Sequence, residues 1–150
     1  MRALTKLAFA ALATIAVPCF AADNDTYTYK LELTSEEGPL DPAVEGRMSL
    51  DFGTCAHSAK TTLQSVNCQT AEFLRRDAEL NRVWRVTKDR IARANHRSLL
   101  ASQRRWIAAR DLFCRKEAER YKGGTIVPVI YSGCRVELTI RRILWLESLK

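Results

Sequence analysis

The chain has 150 residues, with 24 Lys or Arg against 17 Asp or Glu for a net charge of +7, and 47% of its residues are hydrophobic. That is enough apolar material for one buried core and too short a chain for two domains of ordinary size. Its five cysteines and two histidines show no Cys-x-x-Cys or clustered Cys/His spacing, which argues against a metal or thiol redox centre.

Residues 1–21 have a basic start at Arg2 and Lys6, an apolar run from Leu7 to Val17, and small residues up to Ala21. This is the pattern of a secretory signal peptide, with cleavage after Ala21. The run is too short to persist as a transmembrane helix. Pro18 departs from the small residue that lipoprotein processing prefers before a cysteine such as Cys19, so no lipid anchor is expected. Removal of residues 1–21 leaves 22 Lys or Arg, 17 Asp or Glu and four cysteines in about 129 residues. The expected location is periplasmic or secreted, and an even cysteine count in an oxidising compartment implies disulfides.

Residues 22–53 form an N-terminal arm of different composition. Tyr27, Tyr29, Leu31 and Leu33 alternate with polar residues, as do Met48, Leu50 and Phe52, so the period predicts a short β-hairpin. The polar, proline-broken Ser35–Gly46 stretch between them predicts a long turn without helix.

From residue 54 to 150 the period becomes helical. Phe73, Asp77, Leu80, Trp84, Thr87, Ile91 and Ala94 step by four and three, and so do Leu99, Gln103, Trp106, Arg110, Phe113 and Glu117. A break near Asn95 and His96 separates these seams, and so short a connection predicts an antiparallel helical hairpin. The second helix should stop at Gly123-Gly124, Ile126–Ser132 should be a loop, and a last helix should begin near Gly133, with Val136, Ile140, Ile143 and Leu144 or Leu146 facing inward. The fold class is therefore mainly α, a hairpin plus a C-terminal helix, stapled by disulfides.

Polar residues on an apolar seam need a partner across the interface. With the turn at residue 96, Arg110 is nearly level with Asn81 and one turn from Asp77, which predicts a structural network of Asp77, Asn81, Gln103 and Arg110 that sets the helix register. The same geometry leaves Cys68 and Cys114 about 15 Å out of level, too far to bridge. Cys55–Cys68 with Cys114–Cys134 is the favoured pairing, and Cys55–Cys114 with Cys68–Cys134 stays open.

These residues resemble the lysozyme-inhibitor LprI-like N-terminal domain family. The likeness runs through Cys55 and Cys68, Asp77 with Leu80-Asn81 and Trp84, then Gln103, Trp106, Arg110-Asp111 and Cys114, then Gly123-Gly124, Cys134, Thr139 and Arg142. It covers Cys55 to the C-terminus. Trp84 stands where a tyrosine is expected, and the Asp23–Gly53 arm falls outside the pattern. The resemblance implies an exported bacterial envelope protein of mostly helical fold, and it suggests lysozyme inhibition.

The residues do not suggest an enzyme. His57 and His96 fall in an expected loop and turn, with no nucleophile beside them and no glycine-rich phosphate cradle. No cofactor is expected. A lysozyme cleft holds two carboxylates that an inserted cation could occupy, and Lys122 beside Gly123 and Gly124 is the candidate partner contact. The alternative function is an envelope-interaction module, binding an anionic surface or another periplasmic protein. Its basic stretches are Arg75-Arg76, Arg82 to Arg93 and Arg104-Arg105, although interleaved Glu72, Glu79 and Asp89 make a self-paired helix face the simpler reading. Export disfavours nucleic acid.

Overall fold

A computed structural model describes residues 40–149, which form five α-helices: α1 Pro42–Glu45, α2 Leu50–Ser58, α3 Thr62–Arg90, α4 His96–Glu119 and α5 Val127–Ser148. There is no strand among the described residues. Of the expected hairpin, the Tyr27–Leu33 strand lies outside them. Its partner at Met48–Phe52 is replaced by the start of α2. Ser49 is an N-cap whose hydroxyl accepts from the Phe52 amide at 3.1 Å, and Asp51 sits in the first turn, where a carboxylate suits the helix dipole. The alternation of Met48, Leu50 and Phe52 does not mark a buried sheet face, since Leu50 is 90% exposed. The expected helix-free turn also contains the single turn α1, started by the Asp41 carboxylate accepting from the Ala43 amide.

The long helices have legible ends. Thr61 and Gln64 form a capping box at the start of α3, each side chain accepting from the other's backbone N–H. A 3-10 turn over Arg93–Asn95 leads into α4. The expected loop at Ile126–Ser132 is instead mostly the first turn and a half of α5. Pro128 is no obstacle there, because the first amides of a helix have no carbonyl partner and proline supplies none.

The packing order differs from the order in the chain. Helix α5 lies between α3 and α4 and packs closely on both, while α3 and α4 make no comparably close approach. Gln69 meets Ser132 near one end and Thr87 meets the Leu146 carbonyl near the other, so α3 and α5 run parallel. Cys114 meets Cys134 and Gln103 meets Arg142, so α4 runs antiparallel to α5 and hence to α3. One apolar cluster joins Leu80, Val83 and Ile91 of α3, Leu99 and Trp106 of α4, and Leu138, Ile143 and Leu146 of α5. A second joins Val44 of α1, fully buried, to Phe73, Val136 and Ile140. The helical unit thus extends upstream of Gly53, and Arg47 holds it there by pairing with Glu79 of α3 and Glu147 of α5.

Two disulfides brace one end of the bundle, where α3 and α5 begin. Cys55–Cys68 ties α2 to α3, and Cys114–Cys134 ties α4 to α5, with Cα atoms 5.7 Å and 5.6 Å apart.

Candidate functional site

Of the four polar seam residues, the structure brings together only Asp77 and Asn81. Asn81 donates to the Asp77 carbonyl and carboxylate at 2.9 and 3.2 Å, a pair contained within α3. Arg110 is 4% exposed, yet it reaches neither of them. It donates to Asp111 at 2.9 Å and to the Thr139 hydroxyl at 3.2 Å. Gln103 accepts from Arg142 at 2.8 Å. The expected network centred on Arg110 with Asp77 is therefore replaced by contacts to α5, because α5 occupies the space that a two-helix hairpin would have closed.

Arg142 and Thr139 were missed as core polar residues by the inward stripe assigned to α5. Both are fully buried, Arg142 donating to the Ser102 hydroxyl as well as to Gln103. Their signal was present: Thr139, Arg142 and Leu146 have three-then-four spacing, as an inward face requires. The guanidiniums also alternate with rings through the core. Arg135 lies 5.4 Å from the Tyr131 centroid and 3.7 Å from that of Phe73; Arg110 lies 5.2 Å from Phe73 and 5.1 Å from Trp106; Arg142 lies 5.5 Å from Trp106 and 4.0 Å from Trp145. Ring faces compensate buried cations without a carboxylate for each, so this ladder registers three helices. Phe73, Trp106, Arg110 and Arg142 are too enclosed to meet a large partner and support the surface beyond Tyr131, where the ladder ends.

That surface lies at the α4–α5 turn. Residues 120–126 are all exposed. Gly123 has φ +90°, a left-handed conformation that turns the chain away from α4 at no steric cost to glycine. A Cβ on Gly124 would lie 3.2 Å from the Tyr121 carbonyl oxygen, so a small residue suits that place too. The Cys114–Cys134 bridge clamps the two helices beneath.

Lys122 borders an open cleft of about 590 Å³ with Glu119, Gly123 and Val127. A second hollow of about 350 Å³ adjoins it, lined by Arg115, Ala118, Glu119, Val127, Pro128 and Tyr131. Tyr121 and Ile126 stand exposed at the rim. The arrangement offers a cation on a fixed turn beside apolar hollows, which suits protein recognition. The hollows went unseen in sequence because their lining depends on Val127, Pro128 and Tyr131 being helical.

His57 lies exposed on the last turn of α2, not in a loop, and His96 opens α4 with its ring nitrogen 3.1 Å from the Ile91 carbonyl oxygen. No group of three His, Cys, Asp or Glu among the described residues is arranged to hold a metal ion. No helix there is long and apolar enough to cross a membrane.

An uncharacterized protein of Rhizobium meliloti (strain 1021) is 28% identical over 95 residues, covering 55% of this chain and 68% of that one. No solved structure gives a significant match. The profile described as lysozyme inhibitor LprI matches residues 55–146, from the first bridged cysteine to the end of the α5 core stripe. By that match the chain belongs to the lysozyme inhibitor LprI family.

Proposed function

We propose that the protein is exported and inhibits a lysozyme by non-catalytic contact through its α4–α5 turn. The observation that carries this reading is the exposed Lys122 on a turn defined by Gly123 and stapled by Cys114–Cys134. Lysozymes cleave with a pair of carboxyl groups across the scissile bond, one protonated as general acid and one ionised, and an ammonium placed between them would block substrate and pair with the ionised group. Tyr121, Ile126 and the hollows beside Lys122 supply apolar contact around the charge, as interface cores require. The signal-like leader and the two disulfides support an extracytoplasmic setting.

Charge distribution favours this end of the molecule over the other. A basic lysozyme is repelled by a basic partner, but around the turn Glu117 and Glu119 alternate with Arg115, Lys116, Arg120 and Lys122. The far end of α4 lies about 36 Å away at 1.5 Å per residue, several screening lengths at physiological salt.

The test is lysis of peptidoglycan by purified lysozyme in the presence of the wild type, Lys122→Glu and Lys88→Glu. Lys88 is also exposed but lies near the C-terminal end of α3, at the opposite end of the bundle, so its reversal should leave inhibition intact. Lys122→Glu should weaken inhibition by roughly a hundredfold, the effect of losing one close interfacial charge pair and adding a repulsion. Equal inhibition by all three would remove the turn from the mechanism.

A further inference from the structure

The opposite end of the bundle has a different electrostatic character. Between Arg82 and Arg105 the chain places eight Lys or Arg residues and one acid, Asp89. This segment is the last turns of α3, the 3-10 turn and the first turns of α4, so it forms one convex tip. Of the three acids that would make this a self-paired helix face, Glu72 and Glu79 are engaged elsewhere, which leaves Asp89 among the eight cations. Glu72 accepts from Ser49 and Arg75 and forms an ion pair with Arg76, and Glu79 pairs with Arg47 and Arg76 and approaches Arg82 only at 3.9 Å. Glu147, at the nearby end of α5, is taken by Arg47. Arg85, Lys88, Arg93, Arg97 and Arg104 are exposed and make no ion pair among the described residues.

Two apolar side chains stand exposed in the same region, Val86 at 56% and Leu100 at 41%. The tip is also firmly held, since Arg90 donates to the carbonyls of Leu146 and Leu149 and Thr87 to that of Leu146, fastening α3 to the end of α5.

From these observations we infer that the α3–α4 tip docks onto an anionic lipid bilayer surface, with its exposed cations on headgroup phosphates and Val86 and Leu100 at the interfacial layer. A linear polyanion is held best by a groove that follows its backbone, and this tip is convex. Apolar side chains interleaved with cations gain nothing from a fully hydrated polymer, whereas the headgroup boundary accepts both. Docking by this tip leaves the α4–α5 turn facing away from the bilayer, so this surface operates independently of any contact made by Lys122.

The experiment is co-sedimentation of the full protein with vesicles of phosphatidylcholine containing one third phosphatidylglycerol, against vesicles of phosphatidylcholine alone, at low and high salt. Each cation near an anionic surface raises partitioning by roughly fivefold, so the wild type should bind only the anionic vesicles and be released by salt. The tip variant Arg85→Gln/Lys88→Gln/Arg93→Gln/Arg97→Gln should lose several hundredfold. The variant Arg115→Gln/Lys116→Gln/Arg120→Gln, at the other end, should lose less than about fivefold. Circular dichroism establishes that each variant is folded, and if the quadruple variant is not, the pair Arg85→Gln/Arg97→Gln should still lose roughly twenty-five-fold. Equal losses at the two ends would reduce the effect to net charge and overturn the proposal. So would equal binding to neutral vesicles, or capture by a soluble polyanion such as heparin without binding to vesicles.

Discussion

Glu72 is the residue whose removal tests the packing argument most directly. It is fully buried on α3, and its carboxylate accepts from the Ser49 amide at 3.0 Å and hydroxyl at 2.5 Å, with Arg75 at 3.3 Å and Arg76 at 3.0 Å. It therefore fastens the N-cap of α2 to α3. Glu72→Gln keeps the shape but turns one acceptor into a donor facing Ser49 and Arg76. Breaking a buried pair by removing one partner costs about 3–5 kcal/mol. Arg75 is 40% exposed and can recover hydration, and Arg76 keeps its ion pair with Glu79 at 2.6 Å, so the expected loss falls to about 2–3 kcal/mol. For a unit of this size that is a fall of roughly 10–15 °C in Tm, measurable by circular dichroism or urea titration. Ser49→Ala alone should cost about 1–2 kcal/mol as a lost cap. The double variant should cost less than the sum, because both changes remove the same contacts. A Glu72→Gln protein within about 0.5 kcal/mol of wild type, or strictly additive single effects, would refute the claim that this carboxylate joins the two helices.

Arg110→Ala should destabilise by about 3 kcal/mol through a cavity beside Phe73 and Trp106, and Arg110→Met by less than half of that, because Asp111 keeps Arg135 as a partner at 3.6 Å; comparable losses in urea unfolding would show that charge, not volume, dominates the site. Replacing Cys114 and Cys134 together by serine should lower stability by about 3 kcal/mol, read from the urea midpoint, on the chain-entropy account for a sequence separation of 20. Gly123→Ala should cost about 1–2 kcal/mol in thermal unfolding, since its φ of +90° is strained for any residue with a Cβ; an unchanged Tm would mean the turn relaxes freely.

The buried guanidiniums explain how a chain with a strong excess of positive charge still packs a core. Arg142 lies between Trp145 and Trp106, and Arg110 between Trp106 and Phe73, so ring faces take the place that scarce carboxylates would fill. Asp111 serves both Arg110 and Arg135. The acids spared by this arrangement pair with arginines around α1 and α2, and the α3–α4 tip is left strongly positive.

Much of this was legible in the residues themselves. The four-three steps from Phe73 to Ile91 and from Leu99 to Glu117 predicted two long helices, and the structure buries Phe73, Leu80, Thr87, Ile91, Leu99, Gln103, Trp106 and Arg110. Such steps report which side chains share one face of one helix, and that depends only on the local period. They do not say which neighbour that face meets. Arg110 had to be buried beside something polar, but whether Asp77 or Thr139 would answer it was decided by α5 lying between α3 and α4. The Met48–Phe52 stretch failed for a related reason: three alternating apolar residues fit a strand, while the Ser49 cap completed by Glu72 from a distant turn of α3 selects a helix. Local sequence determined the elements and their apolar faces through short-range backbone and hydrophobic preferences. Tertiary structure alone decided the partners, because buried polar groups bond to whatever packing brings within reach.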